Sequence, residues 1–286
     1  MRPRQWVKNV LVLVAPAAAG VVTHGTVLAH CAVAFVAFCL TASGVYLLND
    51  VRDVHADRSH PHKRHRAIAA GQLAPAAAVT AGAVLIVLGL GATQIDHPNW
   101  ALGVIVGLYA ANSLAYVAGL KRVAVFELAS VAAGFFLRSV AGAAASHLFV
   151  STWFLVVVSF GALFLVVGKR TAEKHRLGEG AMAHRAVLAE YSEQFLTSAL
   201  TMTATVVVSG YCLWAFDTSR TGLSSIDHNV TAIRLTVLPV VLAILHIMRL
   251  LEGGGGGAPE DLVLEDRTVQ ALGLVWAVLM AIGIYG

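Results

Sequence analysis

Long apolar runs, broken by short polar stretches, organise this chain from end to end. Runs long enough to cross a bilayer fall at 10–28, 28–48, 73–93, 99–118, 124–145, 149–168, 193–216, 231–250 and 269–285. Each approaches the roughly 20 residues that an α-helix needs to span the hydrocarbon core. None alternates polar and apolar residues with period two, which disfavours a closed β-barrel. The pattern predicts an all-α integral membrane protein with about nine transmembrane helices. Only a tight break at His24 and Gly25 divides the first two runs.

Composition supports that class. Of 286 residues, 58% are hydrophobic and only 13% charged, against about 25% charged in soluble domains. A basic stretch at 2–8 precedes the first run, but no small-residue cleavage site leads into a polar mature domain. A retained first helix is therefore expected. Cys31, Cys39 and Cys212 all lie in apolar runs, are odd in number and have no zinc-like spacing, which argues against a disulfide framework. His60, His62 and His65 stand among Lys and Arg, neighbours that repel a metal ion, so they read as a solvated loop.

The charges that remain are distributed unevenly. Segments 1–9, 49–72, 119–123, 169–192 and 249–268 carry 17 of the 20 Lys and Arg. By the positive-inside rule these segments and the N-terminus are expected on the cytoplasmic side of the plasma membrane. "NDVRD" at 49–53 and "KRTAE" at 169–173 begin 120 residues apart, each where a run ends. That spacing predicts two four-helix pseudo-repeats plus a ninth helix, facing a shared site within one domain over 1–286.

The first of these stretches concentrates the chemistry. On a continuous helix Asn49, Asp50, Asp53 and Asp57 fall within roughly one quadrant, at about 100° per residue. Three carboxylates on one face repel unless a cation neutralises them, and oxygen-only ligands of this kind suit Mg²⁺ bridged to phosphate. Asp alone would equally suit calcium or a cation pore, and a solvated acidic helix end held by Arg is the bland alternative. The bases Lys63, Arg64 and Arg66, with Lys121, Arg122, Lys169 and Arg170 from other loops, point instead to a metal–diphosphate site. Some of these bases would suit anionic lipid headgroups as well. Arg138 lies deep in "ASVAAGFFLRSVAGAAAS", where a charge costs roughly 2.5–3.5 kcal/mol on insertion scales. It is expected inside the bundle, facing substrate or paired with Glu127 or an Asp.

Together "NDVRDVHAD", "HPHKRHRAIAAG", "YVAGLKR" at 116–122 and the charged loop at 168–173 resemble the UbiA superfamily of membrane polyprenyl transferases. The likeness spans essentially the whole chain. The opening "RPRQWVKN", "FELASVAAGFFLRSVAGA" and the ending "PEDLVLEDRTVQ" resemble its phosphoribosyl-transferring branch. Two departures stand out: "GKRTAEKHR" offers Glu173 where most members carry a second Asp-rich motif, and Ala67 replaces the usual proline.

The resemblance implies a Mg²⁺-dependent enzyme that joins 5-phosphoribosyl 1-diphosphate to a polyprenyl phosphate, making a precursor of cell-wall arabinan. Asp50, Asp53 and Asp57 would be catalytic and, with Asn49, would hold the metal. Lys8, Arg58, Lys63, Arg66, Tyr116, Lys121, Arg138, Lys169, Arg170 and Glu173 would bind substrate. The sibling reading is a prenyl diphosphate donor with an aromatic or tetrapyrrole acceptor. A transporter would instead place its ionisable groups near the midplane. The expected partners are the two phosphorylated substrates and the bilayer, with no nucleic acid, and the uniformly apolar helix faces leave a homo-oligomer open.

Overall fold

In hydrocarbon every backbone N–H and C=O must be satisfied within its own segment, so apolar runs of this length become helices. The structure is a computed structural model and describes residues 3–61, 63–95, 99–177, 186–217, 229–252 and 265–285. His62, part of the second charged loop, Arg220, the glycine run at 253–257 and the start of "PEDLVLEDRTVQ" lie outside the described residues. A 3-10 helix, Pro3–Leu13, opens the chain. It is followed by α1 (Val14–Ala18), α2 (Gly25–Arg52), α3 (Val54–Ser59), α4 (Pro75–Ala92), α5 (Trp100–Ala118) and α6 (Phe126–Ala145). Then come α7 (Thr152–Leu177), α8 (Ala186–Ala189), α9 (Glu193–Asp217), α10 (Val230–Leu235), α11 (Val237–Glu252) and α12 (Arg267–Tyr285). No strand occurs among the described residues.

Local signals set several helix starts. Pro75 occupies the first turn of α4, where its missing N–H costs nothing. Asn99 caps α5 by accepting the Leu102 N–H at 3.0 Å, and Asn229 caps α10 through Ala232 at 3.1 Å. Asp266 caps α12 by accepting the Val269 N–H at 2.9 Å. That bond, aided by His246, holds the Asp266 carboxyl below the usual carboxylate range.

Among the described residues, eight helices are long and apolar enough to cross a membrane, with α10 and α11 counted as one. They correspond to the last eight predicted runs. The first run differs: the 11-residue 3-10 helix and the 5-residue α1 stand where an α-helix over 10–28 was expected. A 3-10 helix rises about 2.0 Å per residue against about 1.5 Å in an α-helix, so these two pieces together reach roughly 30 Å. That is the thickness of the hydrocarbon core. The segment runs antiparallel along α2: Trp6 donates to Ser43 at 3.3 Å, Asn9 to Cys39 at 3.2 Å, and Cys31 to the Val12 carbonyl at 3.9 Å. Against α6 it passes so closely that a Cβ on Gly142 would lie 1.7 Å from the Val12 oxygen.

The chain forms two compact units. The first comprises Met1–Lys121 and Ala133–Val150, the second Arg122–Ala132 and Ser151–Gly286, so α6 contributes to both. In the first unit α2 packs most extensively on α4, across a seam of small residues. A Cβ on Gly82 would lie 3.0 Å from the Gly44 oxygen, and one on Gly89 would lie 2.9 Å from the Ala37 oxygen. Close backbone approach through such residues is how membrane helices gain packing without a hydrophobic driving force. The core of this unit gathers Val12, Phe38, Val106, Tyr109 and Ala141 from four elements. In the second unit α7 and α9 form the corresponding tight pair.

Candidate active site

Helix α2 carries the acidic motif because it continues past its apolar run as far as Arg52. Asp53 leaves α-helical geometry at φ −92°, ψ 8°, and α3 begins one residue later. The i to i+4 ladder nevertheless continues through the break. The Asp53 N–H reaches the Asn49 oxygen at 2.9 Å and the Asp57 N–H reaches the Asp53 oxygen at 2.8 Å. The spacing that places the acids together therefore survives the kink.

Each of the three carboxylates is held by a base of the same unit. Arg66 Nη1 donates to Asp57 Oδ2 at 2.7 Å and to Asp50 Oδ1 at 3.2 Å. Lys121 Nζ grips both oxygens of Asp53, at 2.7 and 3.0 Å. The Asp57 side chain is buried, 4% exposed, whereas Arg66 is 26% and Lys121 19% exposed. Arg66 thus lies over two more enclosed acids, whereas Asp53, 29% exposed, is more open than the Lys121 that grips it. No three His, Cys, Asp or Glu side chains gather to hold a metal ion among the described residues. The donor types, carboxylate and amide oxygen, are those that Mg²⁺ takes. The arrangement is the base-paired one.

The other expected site residues spread more widely. Within the first unit Arg58 donates to the Ala69 carbonyl at 3.3 Å, Lys63 is exposed after α3, and Tyr116 is half-buried on the last turn of α5. Lys8 lies 5.7 Å above the Phe135 ring. Arg138 is buried, as expected, but it does not pair with Glu127. Its Nε donates to Asn9 Oδ1, its Nη1 to the Gly134 carbonyl and its Nη2 to Tyr109 Oη, all at 2.7 Å. Its guanidinium also stacks 4.4 Å from the Tyr109 ring. Arg138 therefore anchors the opening 3-10 helix to α5 and α6. The signal for this in the sequence was Asn9, a polar residue bordering an apolar run.

In the second unit Glu127 is fully buried and belongs to Arg170. Arg170 Nε and Nη2 donate to its two oxygens at 2.7 and 2.8 Å, and Nη1 donates to Glu173 at 2.8 Å. Arg170 and Glu173, expected at substrate, are thus joined in a buried bridge between α6 and α7, while Lys169 is half-buried beside them. The reason is steric and electrostatic: a buried Glu needs a bidentate partner, and α7 brings the guanidinium to it.

Tyr191 completes this group and was not legible beforehand. Its hydroxyl accepts the Val125 N–H at 2.8 Å and lies 3.4 Å from Glu127, while Lys174 donates to its carbonyl. Burial pushes the Tyr191 phenol up to about 12, with the Val125 N–H pulling the other way, so the group stays neutral. Val125 itself sits at φ +67°, a conformation that strains a β-branched residue.

A polytopic all-α membrane protein with a kinked tri-aspartate helix end paired with bases is the class that the fold and site define. The UbiA prenyltransferase family model matches residues 10–253, and the chain belongs to that family. It is 45% identical over 280 residues to a decaprenyl-phosphate phosphoribosyltransferase of Mycobacterium tuberculosis, covering 96% of this chain and 90% of that one. It is 40% identical over 290 residues to the protein of the same name in Corynebacterium glutamicum, covering 100% of this chain and 85% of the relative. Among solved structures, a UbiA homolog from Archaeoglobus fulgidus bound to GPP and Mg²⁺ superposes with a TM-score of 0.69 at 14% identity, over 99% of this chain and 95% of that one. A digeranylgeranylglyceryl phosphate synthase gives 0.66 at 13% identity, over 99% and 92%. At these identities the structures establish the fold.

Proposed function

We propose that this protein transfers the 5-phosphoribosyl group of 5-phosphoribosyl 1-diphosphate to a polyprenyl phosphate, decaprenyl phosphate being the acceptor in its relatives' names. A phosphate oxygen of the lipid forms a bond to C1 of the ribose, the bond from C1 to the diphosphate oxygen breaks, and diphosphate leaves. The observation that carries this reading is the acid–base cluster of Asp50, Asp53, Asp57, Arg66 and Lys121, in a chain 40–45% identical to full-length relatives of that name.

Asn49, Asp50, Asp53 and Asp57 are the residues that would hold Mg²⁺, which when bound supplies Lewis-acid stabilisation to a leaving diphosphate. Arg66 and Lys121 neutralise the diphosphate oxygens, and Arg58 and Lys63 extend the positive surface toward its outer end. Lys8 serves the ribose 5-phosphate, and Tyr116 borders the lipid phosphate. Arg170 and Glu173 hold the end of α7, and Arg138 holds the first segment. A lipid phosphate is ionised near neutral pH, its second pKa being about 6, so the chain needs no general base. Its task is to align two anions and balance their charge. The site faces the cytoplasm, where the water-soluble donor resides, and the helices sit in the plasma membrane.

The test uses purified protein with Mg²⁺, a polyprenyl phosphate and radiolabelled phosphoribosyl diphosphate. Label should enter the organic phase with the wild type and be lost with Asp53→Asn. Turnover of a prenyl diphosphate with no phosphoribosyl transfer would overturn the proposal in favour of the sibling chemistry.

A further inference from the structure

The carboxylates that a metal ion would need already have cations on them. Arg66 bridges Asp50 and Asp57, and Lys121 occupies both oxygens of Asp53. A divalent ion arriving alone must displace a guanidinium and an ammonium that have nowhere better to go. A diphosphate changes that balance, because it offers both bases a partner of higher charge density, and a guanidinium fork fits phosphate oxygens as well as carboxylate. We propose that Arg66 and Lys121 are exchangeable counter-ions. They hold the three aspartates in a closed, base-paired state until a diphosphate draws them off, so that divalent metal and diphosphate bind together, each strengthening the other. This rests on the function proposed above and deepens it by fixing how the donor is admitted.

The geometry suits exchange. Arg66 follows the short 3-10 turn Lys63–His65 and Lys121 lies within Leu120–Arg122, so both reach the acids on long side chains from short turns. Arg66 is more exposed than Asp50 and the enclosed Asp57, and Lys121 and Asp53 are both partly exposed. The bases can therefore swing away with α2 and α3 in place. Arg170, only 4% exposed and bonded to two glutamates, has no such freedom. Closing the acids on bases also offsets two of the three carboxylate charges when substrate is absent, where bare carboxylates on adjacent turns would repel.

The test measures binding rather than turnover, using Mn²⁺ as the metal and inorganic diphosphate as the anion on detergent-purified full-length protein. Bound Mn²⁺ is followed by electron paramagnetic resonance. Diphosphate should tighten Mn²⁺ binding by about tenfold, and Mn²⁺ should tighten diphosphate binding by the same factor, since coupling is reciprocal. Arg66→Gln and Lys121→Gln should each bind Mn²⁺ alone more tightly than the wild type and lose most of the enhancement by diphosphate. A purely structural role for these bases predicts no gain in metal affinity. Mn²⁺ binding that is indifferent to diphosphate in an active wild type overturns the exchange and leaves the transferase reading intact. Weaker Mn²⁺ binding by folded Arg66→Gln and Lys121→Gln overturns it too, because the bases would then be supporting the metal site. Phosphoribosyl transfer without any bound Mn²⁺ or Mg²⁺ overturns both the exchange and the metal assignment.

Discussion

The C-terminal ends of α2 and α7 carry the same chemistry in opposite regimes. At α2, three aspartates meet Arg66 and Lys121 with both bases 19–26% exposed. At α7, Arg170 grips Glu127 in a bidentate pair with the two side chains only 4% and 1% exposed. Pairs that solvent reaches are weakened by screening and can exchange partners. Breaking a buried pair strands a charge in low dielectric. The first cluster is therefore suited to trading partners with substrate and the second to holding helices together. Arg138 is a third case, a buried cation satisfied by Asn9, Tyr109 and a carbonyl.

This contrast can be broken most directly by crossing function with stability. Asp53→Asn should cut phosphoribosyl transfer by at least about a hundredfold, with thermal unfolding in detergent almost unchanged. Arg170→Met should do the reverse, destabilising the protein by about 3–5 kcal/mol. Restoring neutrality with Glu127→Leu in the same chain should recover most of that loss. A double variant no better than Arg170→Met alone would assign Arg170 a role beyond its ion pair. Arg138→Met tests the intermediate case. It leaves Asn9 and Tyr109 each short of a partner, a loss of about 1–3 kcal/mol, and should expose the first segment to proteolysis before the rest of the chain. The smallest effect belongs to Tyr191→Phe, which removes the acceptor of the Val125 N–H. Stability should fall by about 0.5–1.5 kcal/mol, and amide exchange at Val125 should quicken.

Much of the membrane architecture follows from local pattern. Eight of the apolar runs become helices close to where the sequence placed them, because a bilayer admits no other local solution for such segments. The grouping of Asp50, Asp53 and Asp57 was likewise legible, since spacings of three and four residues are a property of one helix. The first segment was harder to read. Its 3-10 conformation is fixed by contacts with α2 and α6, down to the single hydrogen atom that Gly142 presents to the Val12 carbonyl.

Sequence by itself determined where the chain crosses the membrane and which end of α2 gathers its acids, for both are decided within a few turns of helix. Only the tertiary structure decided which base meets which acid. Arg66 is 16 residues from Asp50, Lys121 is 68 from Asp53, Arg170 is 43 from Glu127 and Asn9 is 129 from Arg138. A charge carries no label for its partner. Helix packing chooses among several bases of equal charge, and at Glu127 it chose Arg170 over Arg138 because α7 brings that guanidinium within bidentate reach.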